Sequence, residues 1–257
     1  MRRIRVIPTL LLNADGGLVK TTKFAKRTYI GDPINAVKIY NEKEVNELLL
    51  LDIDATREGR EPRYDLIEDI VSEAFMPIGY GGGITSVDQM ARLFQLGMEK
   101  VVLSTAAQEI PGLVRSASER FGAQSVVVCL DAKRSWVRKC SVYTHCGMKN
   151  TGLSPVAAAQ VAVEQGAGEI VVYSMERDGT YSGYDLELLR SVSAAVRVPV
   201  IACGGARNVD DFYPAIAQAG GSAVAAGSMF VFQGAQRGVL ISYPSETELQ
   251  ERLFQKL

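Results

Sequence analysis

The chain is short of the residues and runs that assign many proteins quickly. It has one histidine, one tryptophan and four cysteines in 257 residues. The cysteines, Cys129, Cys140, Cys146 and Cys203, form no C-x-x-C pair. Cys140, His145 and Cys146 lie close together, but their spacing matches no zinc pattern and no fourth ligand is in view, so no metal is expected. Cys140 and Cys146 read instead as surface thiols on a loop or hairpin, and Cys129 and Cys203 as small core residues. There is no block of like charge, and the net charge is −1. That argues against duplex nucleic acid as a partner. No apolar run approaches the roughly 20 residues needed to span a bilayer. Arg5 and Pro8 interrupt any signal-peptide core after the arginine pair at the start. The expectation is a soluble, reduced, cytoplasmic protein away from membranes.

What is present is alternation. Short β-branched apolar runs at 5–12, 47–53, 76–80, 100–104, 125–130, 169–174, 199–203 and 223–226 are separated by amphipathic stretches. In "SVDQMARLFQLG" the apolar residues Val87, Met90, Leu93, Phe94 and Leu96 recur near helical period and stop at a glycine. "NVDDFYPAIAQAGG" reads the same way, with Pro214 as a potential kink. Eight strand–helix units in about 250 residues is the count of a (β/α)8 barrel, an α/β fold. An open doubly wound sheet ranks second because it generally has fewer strands at this length.

The chain also repeats itself. "MPIGYGGGITSVDQM" (76–90) parallels "VPVIACGGARNVDDF" (198–212), with Pro77 matching Pro199 and Asp88 matching Asp210. Two half-barrels, about 1–123 and 124–257, fit this pattern. No Pro-, Gly- or Ser-rich linker divides them, so residues 1–257 are expected to form a single barrel domain.

Barrel chemistry sits where strands end. Gly82 and Gly83 follow the third strand, and Ser104 and Thr105 end the fourth. Gly204 and Gly205 follow the seventh, and Gly227 and Ser228 end the eighth. Glycine lets an anion approach backbone N–H groups closely. The same cradle occurring twice points to a small molecule with a phosphate at each end. The alternative is that these are turn glycines only. Carboxylates gather at the same rim: Asp52 and Asp54, Asp131, and Glu176 and Asp178. Lys20 and Lys23 fall in a long loop after the first strand, the kind of loop that closes over a ligand. Overlaying the half-repeats sets Leu12 opposite Asp131, so one member of an expected acid pair is leucine.

These residues resemble the cyclase subunit of imidazole glycerol phosphate synthase over nearly the whole chain. The most specific strings are "DAKR" (131–134), "GMKNTG" (147–152), "RDGTYSGYD" (177–185), "YGGGI" (80–84), "STAA" (104–107) and "GDP" (31–33). The resemblance implies a half-barrel-duplicated barrel that uses no cofactor. It binds a doubly phosphorylated substrate and takes ammonia from a glutaminase partner docked on its N-terminal face. Carried over by position, one phosphate falls on Gly82, Gly83, Ser104 and Thr105. The other falls on Asp178, Gly179, Gly204, Gly205, Gly227 and Ser228. The loop lysine falls on Lys20. The charged ring that gates ammonia falls on Glu47, Lys100 and Glu169, with its arginine on Val6 and neighbouring Arg5 as the candidate substitute. Of the two catalytic aspartates, one falls on Asp131 and the other on Leu12. Ala14, Tyr173 and Glu176 also depart from the family pattern.

The resemblance then implies a divergent paralogue of the kind found in surface-polysaccharide gene clusters. Such a protein passes nitrogen to a third, amidotransferase-type enzyme that makes an acetamidino sugar. One alternative is an ordinary histidine-biosynthesis cyclase, forming imidazole glycerol phosphate and the aminoimidazole carboxamide ribotide, with Asp15 or Asp54 in place of the missing acid. Another is a non-catalytic ammonia conduit or regulatory scaffold.

Overall fold

The structure is a computed structural model and describes residues 4–135, 139–234 and 236–257. The initial arginine pair and Trp136 of the second half-repeat lie outside the described residues.

Eight parallel strands close on themselves. They are β1 (Arg5–Leu12), β2 (Leu48–Asp52), β3 (Ile78–Gly81), β4 (Lys100–Leu103), β5 (Val126–Arg134), β6 (Glu169–Ser174), β7 (Val200–Cys203) and β8 (Ala223–Ala226). Each pairs with its sequence neighbours, β8 pairs with β1, and β5 pairs with β6, so no edge is left open. This is the (β/α)8 barrel that the alternation implies, and the open-sheet alternative is excluded by the closure.

Successive strand residues point to opposite faces, and the core accordingly splits in two. Ile7, Leu49, Val102, Val127, Val171 and Ile201 fill the inside of the barrel. Val6, Leu10, Leu12, Leu50, Val128 and Leu130 point outward against the helices. Those helices are α1 (Pro33–Glu42), α2 (Tyr64–Ser72), α3 (Val87–Gln95), α4 (Leu113–Phe121), α5 (Pro155–Glu164), α6 (Leu186–Ser193) and α7 (Glu246–Arg252). Their starts are written in the sequence. Asp32, Ser154 and Asp185 accept backbone N–H groups as N-caps, and Ser86 forms a capping box with Gln89.

Two expectations are revised. The stretch after β1 is a β-hairpin, Leu18–Thr22 against Lys26–Gly31, rather than an irregular loop. Leu18, Val19, Thr21 and Thr22 suit a pleated surface, and Asn13 closes the turn before them by accepting from the N–H groups of Asp15 and Gly17. A second hairpin follows β5, pairing Asp131–Arg134 with Cys140–Thr144. The two hairpins arise at equivalent points of the two half-repeats. After β7 there is a 3-10 turn (Val209–Asp211) and then a π-turn (Pro214–Gln218) in place of a regular helix. Pro214 has no N–H to donate, and its carbonyl accepts from Ala219 five residues on. Among the described residues no helix is long and apolar enough to cross a membrane.

Candidate active site at the C-terminal mouth of the barrel

The C-terminal ends of the strands enclose a cavity of about 270 Å³ under the two hairpins. Its floor is mostly apolar: Leu11, Leu51, Val102, Cys129 and Tyr173, with Phe24 from the first hairpin above. Asp131 is the carboxylate reaching it from β5. It is 8% exposed, accepts a hydrogen bond from Ser104 Oγ at 3.0 Å, and lies 3.6 Å from Cys129 Sγ. Burial raises its pKa to about 6, against the hydrogen bonds from Ser104 and Cys129, which lower it. A carboxyl titrating there can hold or release a proton near neutrality.

Because this pKa is raised, the protonated form contributes stability that is fully present below about pH 4 and is lost as pH rises through about 6. Asp131→Asn should therefore match the native protein in stability at pH 4 and exceed it by about 2–3 kcal/mol above pH 7. Urea unfolding across that range reads the difference.

The residue across from Asp131 is Leu11, not Leu12. On β1 the inward residues run Ile7 and then Leu11, which lines the cavity. Leu12 is 1% exposed in the outer core. The overlay of half-repeats was displaced by one residue at β1, and with a two-residue side-chain period a one-residue slip exchanges the faces. The same slip explains the arginine assigned to Val6. Val6 points outward, and Arg5 itself completes the ring at the opposite end of the barrel. That ring is intact. Arg5 bonds Glu47 at 2.6 Å and Glu169 at 2.7 Å, and Lys100 bonds the same two at 2.8 and 2.9 Å. The alternation of charged Arg5 with buried Ile7 on β1 was the available signal for the correct register.

The candidate substitute acids do not face the cavity. Asp54 is held by both Arg27 guanidinium nitrogens at 2.7 Å and by the N–H of Ala14. Asp15 is exposed in the turn after β1. Asp52 lines the cavity, but its oxygens accept from Arg60 and from the N–H groups of Asp54 and Ala55. Glu176 is exposed and accepts from the N–H of Arg134.

The two glycine cradles open differently. The first adjoins the cavity, which Gly82, Ser104 and Thr105 line. Gly82 and Gly83 have φ of +118° and +71°, and a Cβ would stand 2.3 Å from the Asp52 carbonyl and 2.4 Å from that of Arg60. Turn geometry therefore demands glycine at both positions, whatever the turn binds. Thr105 Oγ1 accepts from the N–H of His145, in the turn that follows the second hairpin.

The second cradle, Gly204, Gly205, Gly227 and Ser228 with Gly179, forms a separate crevice of about 20 Å³. Lys20 lies beside it. Its side chain is buried, its ammonium donates to the Thr9 carbonyl, and it lies against Gly227. Burial lowers its pKa to about 8, with Asp178 opposing. The Asp178 carboxylate is spent on the first hairpin, accepting from Thr21 Oγ1 at 2.6 Å, from the Phe24 N–H, and from Tyr173 Oη at 3.0 Å. Burial raises its pKa.

Cys146 belongs to the cavity rather than to an outer surface. It lines the mouth, donates to the Ile53 carbonyl at 3.0 Å, and burial pushes its thiol up to about 12. His145 pairs with Glu109 at 3.0 Å. Phe24, Tyr173 and Cys146 shape the site as much as the cradles do, and nothing in the sequence pattern alone marks Phe24 or Cys146 for that place.

Comparison with known proteins agrees with this architecture. Residues 5–236 match the family model described as "Histidine biosynthesis protein". A Pseudomonas aeruginosa protein named "Putative imidazole glycerol phosphate synthase subunit hisF2" is 49% identical over 97% of this chain and 99% of its own length. A Leptospira interrogans protein with the corresponding HisF name is 46% identical over 99% of this chain and all of its own. The "Imidazole glycerol phosphate synthase subunit HisF" of Hyphomonas neptunium is 43% identical over 90% of this chain and 91% of its own. With the closed barrel, the charged ring and the glycine cradles in place, the chain belongs to the HisF-type cyclase family of histidine biosynthesis proteins.

Proposed function

We propose that this barrel receives ammonia from a glutaminase subunit docked on its N-terminal face and passes it along the barrel axis, but has lost the family's standard lysis and imidazole ring closure. Its ammonia then serves a third, amidotransferase-type enzyme that builds an amidino sugar. The observation that carries the reading is Leu11. It stands across the cavity from Asp131, where a second acid would be needed, and cannot move a proton. Loss of one of two cooperating acid–base groups costs roughly 100- to 10,000-fold in rate. The Arg5–Glu47–Lys100–Glu169 ring keeps the charges expected at the ammonia entrance. The names hisF2 and hisF3 borne by relatives from P. aeruginosa and Vibrio vulnificus number them as further copies. A pure conduit is the same reading without residual chemistry. An authentic histidine-pathway cyclase is disfavoured because neither Asp15 nor Asp54 faces Asp131.

The test is to purify the chain with its glutaminase partner and supply the histidine-pathway substrate with ammonia or glutamine. The reading expects no more than trace imidazole glycerol phosphate, together with glutamine hydrolysis that depends on the barrel. Formation at a rate that could sustain histidine synthesis would overturn it.

A further inference from the structure

The strings "DAKR" and "RDGTYSGYD" meet away from the mouth, and no step assigned to the mouth uses their arginines. Arg134 ends β5 and Arg177 follows β6. With Arg207, which follows β7, they line a cleft of about 420 Å³. The cleft shares no lining residue with the cavity or with the second-cradle crevice. It is large enough to take a small molecule.

Two of the three guanidinium groups are balanced by carboxylates. Arg134 reaches Asp185 at 3.2 Å and Glu187 at 3.1 Å. Arg207 holds Asp211 through Nε at 3.1 Å and Nη2 at 2.5 Å. Arg177 differs. It is half-buried, and its Nη1 donates to the carbonyls of Ser182 and Gly183, both at 3.0 Å. Among the described residues it has no carboxylate partner, and its Nε and Nη2 make no hydrogen bond. Gly183 stands between Arg177 and Arg207. Its carbonyl takes Arg177, while a Cβ on it would lie 3.8 Å from Arg207 Nη2. With no side chain there, the space between the two forks stays open.

The acids of the cleft are mostly turned to other work. Asp211 is 5% exposed and also accepts from the Arg207 N–H, and Asp185 caps α6 by accepting from the Leu188 N–H. Glu187 has a side chain 83% exposed, at the outer edge. A guanidinium with spare donors and no counter-ion favours an oxyanion, and a second fork beside it adds further donors.

We propose that this cleft binds a small molecule through an oxyanionic group, phosphoryl or carboxylate, held by Arg177 and Arg207 across Gly183. Leu186 and Pro214 give the rest of the molecule apolar contact. The site stands apart from the glycine cradles and does not depend on the passage of ammonia.

Pyrophosphate and citrate, titrated separately into the ¹⁵N-labelled chain at constant ionic strength, supply the two chemistries. Nuclear magnetic resonance reads the arginine Nε–Hε signals and the Gly183 amide. At least one probe should shift Arg177, Arg207 and Gly183 together at millimolar concentration or below, and the tighter one identifies the group. Arg207→Gln should weaken that binding by about fivefold or more, while the Gly82 and Gly204 amides of the cradles respond as in the native chain. Glu187→Gln, at an exposed position that leaves the fold alone, should tighten it by removing a competing anion. The proposal is overturned if neither probe moves the three signals at millimolar concentration, or if the response is confined to Gly82 and Gly204. Native affinity in both variants would overturn it too.

Discussion

Leu12→Asp is expected to unfold or nearly unfold the barrel, whereas Leu11→Asp should give a folded protein. The two positions are adjacent and chemically identical, and the structure sets them on opposite faces of β1. Leu12 lies in the outer core with Leu10 and Leu18 and is 1% exposed, so an introduced carboxylate would be buried among apolar side chains. Removing the leucine alone costs about 2–5 kcal/mol, and an unpaired buried carboxyl adds about 1–3 kcal/mol even after it takes up a proton. The sum rivals the 5–15 kcal/mol total stability of an ordinary domain. Leu11 borders the cavity, which water can enter, and the loss there should be smaller by about 2 kcal/mol or more. Urea unfolding at pH 7 separates the two, and equal losses would mean that the facing of β1 is wrong. Leu11→Asp also restores a carboxyl across from Asp131. If loss of that acid is what silenced the family reaction, this variant should form imidazole glycerol phosphate at least tenfold faster than the native chain. No gain would place the loss elsewhere, with Tyr173 the next position to revert.

The contrast between these neighbours shows where sequence reading works and where it stops. The eight strands were legible because each is a short apolar run between amphipathic stretches, and both cradles because their glycines recur at a fixed offset. Asp131 was legible because it is the acid that ends the apolar run of β5. On β1 no acid marks the place, and every residue from Val6 to Leu12 is buried, since both faces of a barrel strand are covered. Hydrophobicity then says nothing about facing, and the overlay of the half-repeats slipped by one. Only the charge at Arg5 fixed the phase. Three-dimensional closeness hid the rest. Phe24 meets Tyr173 because a hairpin folds back across the mouth, and Asp178 proved to be the anchor of that hairpin, a use its place beside a glycine does not reveal.

The same phase governs the other end of the barrel, where Lys100→Met should be the second most damaging change. Lys100 comes from β4 and bridges Glu47, at the entry to β2, to Glu169 on β6. Arg5 on β1 bridges the same pair from the other side. The four side chains form a closed cycle of two cations and two anions tying four elements together across the axis. Taking one cation away leaves two buried carboxylates, 4% and 8% exposed, sharing Arg5 alone. Removing one partner of a buried ion pair costs about 3–5 kcal/mol, because the remaining charge stays desolvated. The Lys100 side chain is 16% exposed, which argues for the lower end of that range. Adding Glu169→Leu to Lys100→Met removes the surplus anion and leaves Arg5 paired with Glu47. The double variant should recover most of the loss, by at least about 1.5 kcal/mol relative to the single change, since charges in one network are not additive. Chemical denaturation of the single and double variants measures both numbers. If the two variants are equally unstable, the ring contributes by packing and not by balance of charge. If the double variant recovers stability but no longer supports glutamine hydrolysis by the proposed glutaminase partner, then the ring's charge serves the proposed passage of ammonia, separately from holding the fold.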